Sequence, residues 1–136
     1  MAFEIQRPAT AFALSPGDRK KRPRVHDNQH LNFIRGLGCA VCGRRPVEAA
    51  HVRMPSEADG KRRVGMAEKP SDKWVVPLCS HHHADQHGEN ERAWWALKGI
   101  DPIRLCLALW ASTGDSEAAE VILQHARSPN PPDPTP

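Results

Sequence analysis

A chain of 136 residues holds one compact domain with an ordinary core and excludes two independent domains joined by a linker. Hydrophobic residues at 39% and charged residues at 26% mark a globular composition, while 13 prolines and the absence of tyrosine set the ends apart as irregular. The net charge of +3 is unevenly spread, because residues 1–83 carry 15 Lys and Arg against 8 Asp and Glu and the remainder 4 against 8, so the first part of the chain suits a polyanion.

In chain order, residues 1–25 combine Pro8, Pro16, Gly17 and Pro23 with the basic run Arg19, Lys20, Lys21, Arg22 and Arg24, and read as a flexible basic arm. Its apolar stretch, Ala9 to Leu14, follows Glu4 and Arg7 and is too short for a secretion signal or a membrane span. The expectation is a cytoplasmic protein with no membrane partner. Asp27 caps a predicted helix whose apolar positions Leu31, Ile34 and Leu37, with Phe33 beside them, run to a stop at Gly38. Two short apolar runs, Val47 to Val52 and Trp74 to Val76, are expected to pair as a hairpin across a basic loop from Arg53 to Lys73. A loop of that length needs a functional reason in a small domain.

Ser80 is expected to open a helix carrying His81 to His87 and ending near Gly88. A second helix, Glu89 to Lys98, bears Trp94 and Trp95 and is closed by Gly99. Asp101-Pro102 starts a third, with Ile103, Cys106, Leu107 and Trp110 on one face. A last helix from Ser116 to Arg127 is expected to bury Val121 and Ile122. Residues 128–136, five of them proline, read as a disordered tail, which leaves a single domain over 26–127.

The strongest chemical signal is Cys39-x-x-Cys42-Gly43 followed, after 36 intervening residues, by Cys79-x-x-His82. Zinc takes four thiolate or imidazole ligands in a tetrahedron, and a CxxCG knuckle aims two thiolates at one point. Four cysteines grouped with histidine point to metal in a reducing compartment rather than to a disulfide scaffold. Cys106, alone on an apolar helix face, reads as core. His83 and His87 stand four apart, the helical spacing that lets two imidazoles chelate one divalent ion, while His82 is turned from His83 by about 100°. The run His81, His82, His83 leaves open which of the three serves which site. His51 closes the first strand between the two halves of the cluster.

Taken together, CxxCG, the VEAAHV strand, a basic loop ending in KPSDKW, and VPLCxxHH with a further histidine four residues on resemble the HNH (ββα-metal, treble-clef) nucleases. The similarity is to the phage and prophage branch with the Ref-type and YbcO-type proteins, and it covers residues 30–110. The resemblance implies an α+β fold, a small zinc-stabilised treble-clef core of short β-hairpin plus helix surrounded by additional α-helices. It implies His51 as the general base and His83 and His87 as holders of a catalytic divalent ion, Mg, Mn or Zn. Cys39, Cys42, Cys79 and His82 become the ligands of a structural zinc. A recombinase filament enters as a partner by resemblance alone. Two positions depart from the pattern. Ala50 stands where many members have a third metal ligand, for which Asp72, Glu48 or water would have to substitute. Trp74 falls where the central asparagine would be.

The expected activity is DNA phosphodiester hydrolysis, with neutral His51 taking a proton from water and one ion acting as Lewis acid at the phosphate. The scattered carboxylates do not suit a two-metal nuclease. Arg44, Arg45, Arg53, Lys61, Arg62, Arg63, Lys69 and Lys73 are the candidate nucleic-acid contacts, together with the arm, and such residues favour backbone contact over base reading. Trp94 and Trp95 would serve either as core or as a stacking platform. The alternative is a non-catalytic zinc-binding module that binds nucleic acid or a protein partner. A zinc deaminase is excluded, because His51 is followed by Val52 and Arg53 rather than by the HxE element, and Leu78 precedes Cys79 where PCxxC needs proline.

Overall fold

Asp27 opens the first element, its side chain accepting from the His30 backbone N–H at 3.0 Å, and the computed structural model describes residues 26–61, 70–88 and 90–127. The basic arm over 1–25, the tail over 128–136, and Arg62, Arg63 and Lys69 lie outside the described residues. The first helix, α1, spans Asn28–Arg35 and ends before the expected Gly38, because Gly36 caps it: Gly36 N–H donates to the Phe33 carbonyl and Leu37 N–H to the Ile34 carbonyl. Leu37 is still 1% exposed, so the apolar period runs on past the end of the helix.

Strands β1 (Glu48–His51) and β2 (Val75–Leu78) pair antiparallel, with Glu48 opposite Leu78 and His51 opposite Val75. Period-two alternation decides what β1 presents: Ala50 is fully buried in the core, while Ala49 and His51 face the other way and are half-buried. All of β2 is buried, including Pro77, which a two-stranded sheet tolerates because each strand is an edge. Between the strands, Ser56 and Lys61 bridge around a 3-10 turn at Glu57–Asp59.

The remaining helices are α2 (Ser80–Gly88), α3 (Glu91–Lys98), α4 (Pro102–Ala111) and α5 (Ser116–Arg127). Asn90 caps α3 through Ala93 N–H, Gly99 closes it at φ 71°, and Asp101 caps α4 through the N–H groups of Ile103 and Arg104. Among the described residues the architecture is therefore mixed α and β, five helices around one small antiparallel sheet. None of these helices is long and apolar enough to cross a membrane.

Trp94 and Trp95 sit in the core at 2% and 1% exposure with their rings edge to face, which removes them as a stacking platform for bases. Cys106 is buried with its thiol toward the Val75 carbonyl, and burial pushes that thiol far up from its ordinary pKa. The α5 packing differs from expectation. Ala119 and Leu123 are fully buried, whereas Val121 is 53% exposed and Ile122 only partly covered. Positions 119 and 123 share a face one turn apart, and that face is fixed by Glu120 and Arg127, which turn toward the loop carrying Cys39.

Candidate metal centre and active-site cleft

The loop after α1 forms a knuckle in which Gly43 N–H donates to the Cys39 carbonyl at 2.9 Å and Cys39 N–H to the Arg44 carbonyl at 3.0 Å. Gly43 takes φ +77°, a conformation that favours glycine, and a Cβ on Gly38 would stand 2.9 Å from the Gly43 oxygen. The knuckle is hung on β2 by Ala40 N–H to the Pro77 carbonyl, and β2 hands the chain to Cys79 directly before α2. The first turn of α2 then carries His82 back over Cys79.

The four side-chain donors converge. Cys42 Sγ is 3.8 Å from Cys79 Sγ, and His82 Nδ1 is 3.4 Å from Cys79 Sγ and 3.7 Å from Cys39 Sγ. A tetrahedral zinc with Zn–S of about 2.3 Å and Zn–N of about 2.0–2.1 Å sets its ligand atoms about 3.5–3.8 Å apart, so the residues fit the ion. Cys39, Cys42, Cys79 and His82 could hold a metal such as zinc, and all four ligand atoms lie within 4.8 Å of one another. Burial pushes the Cys39 thiol up, but hydrogen bonds from backbone groups at Cys42, Cys79 and Val41 outweigh it and hold the group below its ordinary range. Burial, with Lys98 nearby, lowers His82 and favours the neutral imidazole that a metal takes. His81 points outward to Asp85 at 3.7 Å, which settles which histidine of the run joins the cluster.

His83 leaves α2 on a different side. Its Nδ1–H donates to Glu48 Oε1 at 2.6 Å, and its Nε2 lies 3.1 Å from His87 Nε2. Both rings line an open cleft of about 390 Å³ whose walls are His26, Asn28, Leu31 and Arg35 from the α1 side, Ala49 and His51 from β1, Arg53 just after it, and Pro70 and Asp72. His51 donates through Nε2 to Asp72 Oδ1 at 3.0 Å, and Asp72 Oδ2 accepts from the Asp27 backbone N–H at 2.9 Å. Beneath the cleft, buried Gln86 reaches the His51 carbonyl at 3.4 Å and Glu91 Oε2 at 2.8 Å. Glu91 also accepts from Arg53 N–H and from Trp95 Nε1.

A family model described as "Protein of unknown function (DUF968)" matches residues 6–111. The chain belongs to the DUF968 family. No curated protein and no solved structure matches it. In this DUF968 chain the match takes in both candidate sites and stops before α5.

Of the basic residues singled out by sequence, the DUF968 fold brings Arg53 to the cleft and not the others that are described. Arg44 is exposed beside the knuckle. Arg45 is turned to the α5 side, where it bonds the Gly36 carbonyl and Glu120 Oε2, the latter at 2.7 Å. Lys61 is 2% exposed with its ammonium 5.8 Å from the Trp74 ring centre, and Lys73 lies 5.0 Å from the same ring. These cations pack on an aromatic face instead of forming a phosphate-facing stripe. Trp74 is buried, and its carbonyl accepts from Val52 N–H as an extension of the hairpin. The sequence pattern did not single out Arg35, Asn28 and His26 as cleft residues, nor Gln86 and Glu91 as its support. Asp72 was nameable only as a substitute ligand, although it is the only carboxylate between Pro70 and β2.

Proposed function

We propose that this protein is a metal-dependent endonuclease of the HNH type, a treble-clef ββα-metal enzyme that hydrolyses DNA phosphodiester bonds with one divalent ion and a histidine base. The observation that carries the reading is the cleft, in which His51, bonded to a buried carboxylate, shares walls with an imidazole pair whose Nε2 atoms stand 3.1 Å apart. Two ligand atoms of one divalent ion bound at about 2.1 Å lie at about that separation. Glu48 on His83 Nδ1 fixes the His83 lone pair on Nε2, the carboxylate–histidine arrangement that supports metal ligands.

His83 and His87 would hold the ion, which when bound would supply Lewis acidity at the phosphate and the leaving oxygen. The chain's own groups do the rest. His51 takes the proton from the attacking water, and Gln86 anchors its backbone. Arg53 and Arg35, on facing walls, supply positive charge to the phosphates. Cys39, Cys42, Cys79 and His82 would hold a zinc that pins the start of α2, and thiols kept reduced for such a role suit the cytoplasm.

Nicking of supercoiled plasmid in Mg²⁺ or Mn²⁺ tests the reading. His51→Ala is expected to lose about 10²–10⁴-fold in rate with zinc content and circular dichroism unchanged, and equal nicking by that variant removes the base assignment. The second reading, a non-catalytic zinc-binding module, draws on Ala50, whose full burial puts the position before His51 in the core and out of reach of any ion. One tightly held zinc alone favours the module, and a further, weaker divalent site favours the nuclease.

A further inference from the structure

We infer that Asp72 is the positioning residue for the base, fixing His51 as the tautomer protonated on Nε2 so that the proton acceptor in hydrolysis is Nδ1. The inference rests on the nuclease reading for its kinetic consequence, but not for its geometry. Asp72 is 1% exposed and sits on the loop entering β2, opposite the end of β1. Its two oxygens do separate work: Oδ1 meets His51 Nε2 at 3.0 Å and Oδ2 meets the Asp27 N–H at 2.9 Å. A backbone N–H can only donate, so Asp72 must accept there. An ionised carboxylate can only accept at the other oxygen as well, which assigns the His51 hydrogen to Nε2 and its lone pair to Nδ1. Engaged on both oxygens in the fold, Asp72 is a strut rather than the substitute metal ligand that the sequence allowed for.

The second contact extends the role. Asp27 is the N-cap of α1, and α1 contributes Asn28, Leu31 and Arg35 to the facing wall of the cleft. Asp72 therefore sets the ring and the opposite wall from one buried group, while Gln86 fixes the His51 backbone from below. Base and substrate wall are held in one frame, which is what a near-attack geometry requires.

Asparagine at this position has the same shape and one acceptor oxygen instead of two. With that oxygen on Asp27 N–H, its NH₂ faces His51 Nε2, which must then accept, and the ring proton moves to Nδ1. With the amide turned over, two N–H donors confront each other at α1. Asp72→Asn thus forces either the wrong tautomer or a broken cap contact.

The test reads the His51 ring nitrogens by ¹⁵N–¹H NMR in the zinc-loaded protein, alongside plasmid nicking over a pH series. The wild type is expected to show the ring hydrogen on Nε2 and none on Nδ1 above the imidazole titration. Asp72→Asn is expected to show the proton on Nδ1 and to lose about 10²–10⁴-fold in nicking rate, with the acid limb of the profile displaced to lower pH because the adjacent negative charge is gone. A wild type that carries its proton on Nδ1 overturns the proposal whatever the variant does. A variant that keeps both the tautomer and the pH profile overturns it too, since a merely structural aspartate would leave both unmoved. If the tautomer is as expected and the zinc-loaded wild type does not nick DNA in either metal, the positioning role stands and the nuclease reading falls.

Discussion

Glu48 bonds His83 and Asp72 bonds His51, and the difference in burial of the two carboxylates decides what each can be worth. The Glu48 side chain is 55% exposed and His83 22%, so their 2.6 Å contact is screened by water and contributes less than about 1 kcal/mol to folding. Its effect should appear instead in metal binding, because it fixes which His83 nitrogen offers a lone pair. Glu48→Gln is expected to leave the melting temperature within about a degree or two and, if His83 and His87 hold an ion as proposed, to weaken that binding by about 10–100-fold. Calorimetric titration of Mn²⁺ into the zinc-loaded protein measures this, and an unchanged affinity would make the contact incidental. The His83 and His87 pair was legible from spacing alone, whereas His26 was not. The carboxylates were not, because their roles depend on the hairpin register that sets Glu48 beside α2 and Asp72 beside His51, and two strands of four residues separated by a long loop do not announce their register.

At the scale of elements, α5 acts as a clamp on the cysteine knuckle. Glu120 Oε2 accepts from Gly38 N–H at 3.1 Å and from Arg45 at 2.7 Å, while Arg127 Nε donates to the Cys39 carbonyl at 2.9 Å. Glu120→Ala leaves the buried Gly38 N–H without its acceptor, so we expect a loss of about 1–3 kcal/mol in urea denaturation and faster zinc transfer to a chromophoric chelator. Equal transfer rates would show that the clamp does not govern the metal. The same contacts explain why the helical phase of α5 could not be read from Val121 and Ile122: hydrophobicity pointed one way and the Glu120 and Arg127 contacts turned the helix another. Between α1 and α4 lies a second polar contact. His30 donates through Nδ1 to Thr113 Oγ1 at 2.8 Å, since that hydroxyl gives its own hydrogen to the Trp110 carbonyl. Burial holds the His30 pKa below its ordinary value, with Asp27 and Asp72 opposing. The unfolded chain therefore binds the proton more readily, and the stability due to neutral His30 is complete above about pH 6.5 and is lost as pH falls from there through the lowered folded value. Thermal midpoints should drop from about pH 7.5 to about pH 5.5, and drop less in His30→Asn, whose amide can replace the Thr113 bond without titrating. Equal drops in both proteins would assign the acid sensitivity elsewhere.

At the scale of the molecule, the two candidate sites are joined through α2, and we expect the dependence between them to be one-sided. The chain order of knuckle, hairpin and histidine helix was legible because metal ligands must recur at fixed spacings, and α2 duly sends His82 to the cysteines and His83 to the cleft. A two-stranded sheet of four-residue strands has little stability of its own, so β2 and the start of α2 depend on what pins them. Metal binding at structural sites of this chemistry is worth about 10–16 kcal/mol in small peptides, against net domain stabilities of about 5–15 kcal/mol. Removing the cluster should therefore unfold the cleft, whereas removing the cleft ligands should not disturb the cluster. Cys79→Ala is expected to lose bound zinc, the near-ultraviolet dichroism of the packed Trp94 and Trp95 pair, and Mn²⁺ binding together. His83→Ala combined with His87→Ala is expected to keep the zinc and the dichroism and to lose only Mn²⁺ binding. A Cys79→Ala protein that retains the tryptophan signal and binds Mn²⁺ as the wild type does would mean that the core, and not the cluster, holds α2 in place.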